Sequence, residues 1–114
     1  MRISPAEAYE KMTKEGFTYV DVRTPEEFAA GHPKDALNIP TGDSFVADMN
    51  ARFPKDAKLI LGCRTGNRSL KAQNALIADG FTNVLEQRAG WDGAKGQFGE
   101  TTEDGWRKLG LPSE

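Results

Sequence analysis

The sequence predicts an α/β sandwich of three layers, in which a parallel sheet of about five strands is covered by helices on both faces. Three observations lead there. Helical and extended segments alternate along the chain, as crossover connections between parallel strands require. Leu59-Ile60-Leu61-Gly62 is a short run of apolar and small residues, the pattern of a strand covered on both sides. That run enters a tight polar loop that opens a helix, and the one cysteine of the chain, Cys63, sits at the junction.

Taken in order, Ile3 marks a short edge strand. Ser4-Pro5-Ala6-Glu7 is a capping box with proline at the first helical position, and the helix it starts runs to about Glu15 with Ala8 and Met12 on one face. Gly16-Phe17-Thr18 ends it: the glycine takes a left-handed conformation and the phenylalanine packs back on the last turn. A strand follows from Phe17 to Val22. Thr24-Pro25-Glu26-Glu27 repeats the capping arrangement and starts a helix to about Ala30. Ala36-Leu37-Asn38-Ile39-Pro40 is a short strand stopped by proline. Gly42 to Phe53 is a helix whose Phe45, Val46, Met49 and Phe53 form a core stripe rather than a cofactor site. The central strand spans Lys58 to Gly62, a helix runs from Leu70 to Asp79, and Gly80-Phe81-Thr82 copies the earlier exit into a strand at Asn83 to Leu85. Beyond Glu86 glycines become frequent and periodicity fades, so loops and one short helix are expected.

A chain of 114 residues forms one domain, residues 1–114, able to bury roughly two-thirds of its unfolded surface. Its net charge of −2 offers no basic field for nucleic acid or an anionic membrane surface, and any attraction for anions is local. One cysteine excludes a disulfide framework within the chain and fits a reducing compartment. Met1 to Glu7 lack the apolar run of a secretory signal and no long apolar segment follows, so a cytoplasmic protein is expected.

The chemistry concentrates at Cys63-Arg64-Thr65-Gly66-Asn67-Arg68-Ser69. Unpaired N–H groups and the positive end of the helix dipole favour an anion there, and Arg64 and Arg68 add two permanent charges. A helix end contributes about 0.3–1 kcal/mol, up to about 2 when partly buried. At about 1.4 kcal/mol per pKa unit, roughly one to two units of depression are expected, and a thiol ionised to a few per cent at neutral pH becomes mostly thiolate once its value falls to about 6.5, so no separate general base is needed. The competing reading, a small buried hydrophobe, fits poorly with flanks this polar.

Cys63, four intervening residues, Arg68 and Ser69 resemble the active-site loop of the rhodanese (sulfurtransferase) family, Cys-x-x-Gly-x-Arg followed by Ser. Asp21-Val22-Arg23 through Glu27-Phe28 to Gly31-His32 is similar to the second signature of that family. Gly90-Trp91 and Gly105-Trp106 both resemble its C-terminal glycine-tryptophan signature, split here by an extra segment, so either Trp91 or Trp106 is the match. The resemblance implies the rhodanese fold and a sulfurtransferase. Cys63 would take sulfane sulfur from a small anionic donor such as thiosulfate, become a persulfide, and pass the sulfur to a thiol, to cyanide or to a protein acceptor. No cofactor, metal, nucleic acid or membrane partner is called for.

In that scheme Cys63 is catalytic, and the N–H groups from Arg64 to Ser69 surround the transferred sulfur, with Gly66 giving the required backbone turn. Arg64 contacts the donor or faces solvent. Arg68 binds the donor or turns back onto loop carbonyls or a carboxylate; the sequence leaves both open. Thr65 and Asn67 are candidate donor contacts, and Ser69 is a helix cap. Asp21 with Arg23 braces the site, and His32 is a structural hinge beside the loop. Pro33-Lys34-Asp35-Ala36 stands where the family pattern continues Ile-Pro-Gly-Ala, leaving that turn undefined. Two rivals remain. One is a rhodanese-like cysteine phosphatase or arsenate reductase, which resembles this loop but carries five residues between cysteine and arginine and needs an acid, for which Asp92 is available. The other is a non-catalytic module that carries sulfur or binds a protein.

Overall fold

The computed structural model describes residues 1–114. Its main sheet has five strands, β1 (Arg2–Ile3), β2 (Thr18–Asp21), β3 (Leu37–Asn38), β4 (Leu59–Gly62) and β5 (Val84–Gln87). They lie in the order β1-β5-β4-β2-β3, and every pair is parallel. The connecting helices are α1 (Pro5–Lys14), α2 (Pro25–Ala30), α3 (Phe45–Arg52) and α4 (Asn67–Ala78). This is the sandwich the sequence predicts, with β4 at its centre.

The two capping boxes form as read. Ser4 Oγ accepts from Glu7 N while Glu7 reaches back to the Ser4 N–H, and Thr24 and Glu27 do the same for α2. The exits also form. Gly16 and Gly80 take positive φ, and the N–H of Phe81 returns to the Leu76 carbonyl with its ring buried.

Side chains alternate across the sheet and divide the interior in two. Val20, Val22, Leu59, Leu61 and Val84 face α3 and α4, whose Phe45, Met49, Ala72 and Leu76 complete one cluster. Tyr19 and Ile60 face the other way, onto Ala8, Trp106 and the partly buried Tyr9, Met12 and Phe28. The aromatic and methionine stripe of α3 is therefore core.

Several boundaries differ from the sequence reading, and α3 for one starts at Phe45 rather than Gly42. β5 continues through Glu86 and Gln87, because both side chains find buried polar partners that propensity does not foresee. α4 begins at Asn67, since Gly66 already turns the chain into the helix. The glycine-rich segment holds an antiparallel ribbon, β6 (Ala94–Lys95) and β7 (Thr101–Glu103), in place of the expected short helix. Glycines at Gly93, Gly96 and Gly99 weaken a helix, whereas Thr101 and Thr102 suit an extended strand.

Met49 is fully buried in the first cluster and Phe98, at the ribbon tip, is 87% exposed. Met49→Ala lowers the unfolding free energy by about 2–5 kcal/mol while Phe98→Ala leaves it within about 0.5 kcal/mol, as read from urea unfolding curves.

Candidate active site

The loop after β4 lies at the carboxyl end of the central strand, the place where open parallel sheets bind ligands. Cys63 is buried, 2% exposed, and its Sγ accepts the Gly66 N–H at 3.1 Å. That bond closes a tight turn around the sulfur. Gly66 stands at φ +99°, and a Cβ on it would overlap the Arg88 carbonyl, so only glycine fits. Gly90 is held as closely from the other side, where a Cβ would meet the carbonyls of Cys63 and Arg64 at 2.5 Å. Trp91 N and Asp92 N then bond those carbonyls at 2.9 Å each. Gln87 fixes this backing segment by accepting from Ala89 N and Gly90 N.

Along the loop, the N–H groups of Arg64, Thr65, Asn67, Arg68 and Ser69 donate to no carbonyl or side chain. Those of Asn67, Arg68 and Ser69 are the unpaired donors of the first turn of α4. The loop thus leaves five backbone donors free within six residues of Cys63, while a sixth, the Gly66 N–H, reaches its sulfur, and successive free amides of this kind favour an anion.

The two arginines are both engaged. Arg68 donates to both carboxylate oxygens of Glu27, at 2.9 and 3.0 Å, tying α4 to α2. The Arg68 hydrogen bond, with the Thr24 cap, holds the Glu27 carboxyl down from its ordinary value of 4.5 to about 2. Arg64 projects into solvent and donates to Asp92 at 2.7 Å, and Arg107 takes the second Asp92 oxygen at 2.9 Å. Burial pushes the Asp92 carboxyl up, but these two guanidinium groups outweigh it and leave Asp92 below its ordinary range. Arg23, Glu27, Arg64, Trp91, Asp92 and Arg107 line an open depression of about 450 Å³ at this mouth.

The remaining residues of the sequence reading fall as follows. Thr65 and Asn67 line a second recess on the outer side of the loop, with Arg2, Arg88 and Lys95. Ser69 does not cap α4, whose N-cap is Gly66 without a side-chain bond. Its hydroxyl instead lies 3.3 Å from Cys63 Sγ and 2.5 Å from Glu86 Oε2. Asp21 and Arg23 form a buried ion pair at 2.7 Å, and Arg23 also donates to the Gly31 carbonyl. His32 stacks on Phe28, bonds its carbonyl through Nδ1, and pairs through its backbone with Glu114, so its hydrogen bonds run away from the loop. The turn after it is held by the C-terminus, with Asp35 at φ +67° donating to Glu114. Of the two tryptophans, Trp91 backs the loop while Trp106 is buried against Tyr9 and Tyr19.

Sequence reasoning missed Glu86, Arg2 and the role of Glu27 as the partner of Arg68. The available signal for Glu86 was a carboxylate and an amide, Glu86-Gln87, continuing an apolar strand.

The fold is a parallel α/β sheet with a buried cysteine at the end of its central strand, at the start of a loop whose amides are mostly free. The chain belongs to the rhodanese-like domain family, whose pattern it matches over residues 4–97. It is 36% identical over 91 residues to thiosulfate sulfurtransferase GlpE of Pseudomonas putida, covering 80% of this chain and 81% of that one. It is 34% identical over 97 residues to senescence-associated protein DIN1 of Raphanus sativus, covering 76% of this chain; the match spans 53% of that relative, about half its length. The crystal structure of Rv0390 from M. tuberculosis superimposes with a TM-score of 0.80 at 27% identity, covering 99% of this chain and 96% of that one. No helix is long and apolar enough to cross a membrane.

Because Glu27 titrates lower when folded than unfolded, its pairing contributes stability that is fully present above about pH 4.5 and is lost as pH falls toward about 2. Glu27→Gln costs about 0.5–1 kcal/mol at neutral pH, and the gap from wild type closes between those pH values in urea midpoints measured across the acid range.

Proposed function

We propose that the chain is a sulfurtransferase that moves sulfane sulfur from a small anionic donor of the thiosulfate type to a thiophilic acceptor through a persulfide on Cys63. The observation that carries this reading is the run of unused N–H donors that follows a cysteine already fixed by the Gly66 amide. The thiolate of Cys63 attacks the outer sulfur of thiosulfate; a new S–S bond forms, the old one breaks, and its electron pair leaves with sulfite. The charge then resides on the outer sulfur, within a preorganised set of amide dipoles. A thiolate or cyanide attacks that sulfur in turn, the bond to Cys63 breaks, and the thiolate is regenerated.

The arginines divide the remaining work. Arg68, locked in both directions to Glu27, holds the loop against α2. Arg64, on the surface, is the cation that meets the donor, exchanging its Asp92 contact for a sulfonate oxygen. A phosphatase reading gains nothing from the site: only four residues separate Cys63 and Arg68, and Asp92 is occupied by two arginines. The acceptor class is a thiol, cyanide or a protein thiol, and a cytoplasmic setting is consistent with a free cysteine.

Intact-mass measurement after exposure to thiosulfate shows one added sulfur that cyanide removes, and Cys63→Ser shows none. A wild-type mass unchanged by every sulfur donor refutes the reading in favour of a binding module. Arg64→Ala raises KM for thiosulfate about tenfold with little change in kcat, the loss expected for one charge-assisted contact worth about 1.5 kcal/mol, as steady-state kinetics read it.

A further inference from the structure

Glu86 is a fully buried carboxylate that the sulfur-transfer scheme leaves without a task. Its Oε1 accepts from Arg2 Nε at 2.5 Å and its Oε2 from Ser69 Oγ at 2.5 Å. The same Ser69 oxygen lies 3.3 Å from Cys63 Sγ. A serine hydroxyl has one hydrogen, and here two acceptors compete for it. The Glu86 oxygen, at 2.5 Å against 3.3 Å for the sulfur, is the nearer and stronger acceptor, so the hydrogen points to Glu86 and the Ser69 lone pairs face the sulfur. Lone pairs in that position accept an S–H and repel a thiolate.

We propose that Glu86 is a positioning residue for Cys63: held by Arg2, it orients the Ser69 hydroxyl so that its lone pairs face the sulfur, and so raises the pH at which the attacking thiolate of the proposed function forms. The charged groups around the sulfur are mostly compensated already, and the rest of its surroundings are apolar. On β2, Asp21 is paired with Arg23 and Tyr19 stays neutral, its hydroxyl pushed up by burial. On the loop and α4, Arg64 is paired with Asp92 and Arg68 with Glu27. The Gly66 N–H favours the thiolate, and the Glu86 carboxylate opposes it through Ser69. In the persulfide the charge sits on the outer sulfur, Sγ carries no hydrogen, and the competition for the Ser69 hydrogen disappears.

This inference rests on Cys63 being the reactive thiol of the proposed function, but its test needs no sulfur donor, so either can fail alone. The rate of Cys63 alkylation by iodoacetamide, in which a sulfur–carbon bond forms as iodide leaves, is followed against pH with the thiolate absorbance in the ultraviolet. In Glu86→Gln the amide donates to Ser69 Oγ and frees its hydrogen for the sulfur. The midpoint then moves to lower pH by about one unit, an about tenfold faster reaction below it. A midpoint that is unmoved overturns the proposal, and so does one moved to higher pH, which would make Glu86 a proton acceptor. A purely structural role lowers stability without moving the midpoint. Should the variant not fold, the infrared spectrum of reduced wild-type protein at about pH 6, below the range in which free thiols ionise, decides. An S–H band lowered in frequency by donation to Ser69 supports the proposal, and absence of any S–H band overturns it.

Discussion

The hydrogen bond from the Gly66 amide to Cys63 Sγ fixes the geometry on which the site depends. To form it, the backbone must reverse within four residues, at a φ open to glycine and costly for other residues. The reversal has two results. It points the sulfur into the loop rather than into the hydrocarbon of the α3–α4 face, although Cys63 belongs to that buried cluster. It also leaves the adjacent amides without carbonyl partners, since a chain that has turned this sharply cannot feed them to its own helix until Leu70 reaches the Gly66 carbonyl. A substitution at position 66 would therefore cost the site its donors as well as its shape.

Charge around the loop is arranged in closed pairs. Arg68 with Glu27, Arg64 with Asp92 and Arg107, Arg23 with Asp21 and Arg2 with Glu86 leave little net cationic field at the sulfur. A bare cationic cluster would hold any anion of the right size. Amide dipoles act at short range on an atom seated among them, and so discriminate by fit. Pairing also turns each arginine into a tether: Arg68 joins α4 to α2, and Asp92 joins the loop to the segment after β5.

What the sequence makes legible here is local. The capping boxes, the glycine exits, the apolar run of β4 and the Cys63 to Ser69 spacing all lie within a few residues, so propensity and pattern report them directly. Partners joined across the fold are not reported that way. Arg68 meets Glu27 at a separation of 41 residues, Arg64 meets Asp92 at 28, and Ser69 meets Glu86 at 17. From sequence, Arg64 reads as a donor contact or a solvent-facing cation, Arg68 as a donor contact or a side chain turned back onto a carbonyl or an unidentified carboxylate, and Ser69 as a cap. Only the sheet order β5-β4-β2, which sets Glu86 beside α4 and Glu27 across from it, assigns them otherwise.

The ribbon that replaces the expected helix follows the same logic and closes it. β7 places Glu103 where it takes Arg88 through two bonds, at 2.8 and 3.0 Å. The backbone carbonyl of Arg88 is the group that presses on Gly66 and excludes a side chain there. Arg88 N is tied in turn to the Ile3 carbonyl, on the edge strand whose Arg2 holds Glu86. A helix at this point in the chain would place its carboxylates at helical spacing on its own surface; a short antiparallel ribbon can carry one of them back across β5. The inserted segment that separates the two glycine-tryptophan pairs is thus mechanically continuous with the turn around the sulfur, through Glu103, Arg88 and Gly66.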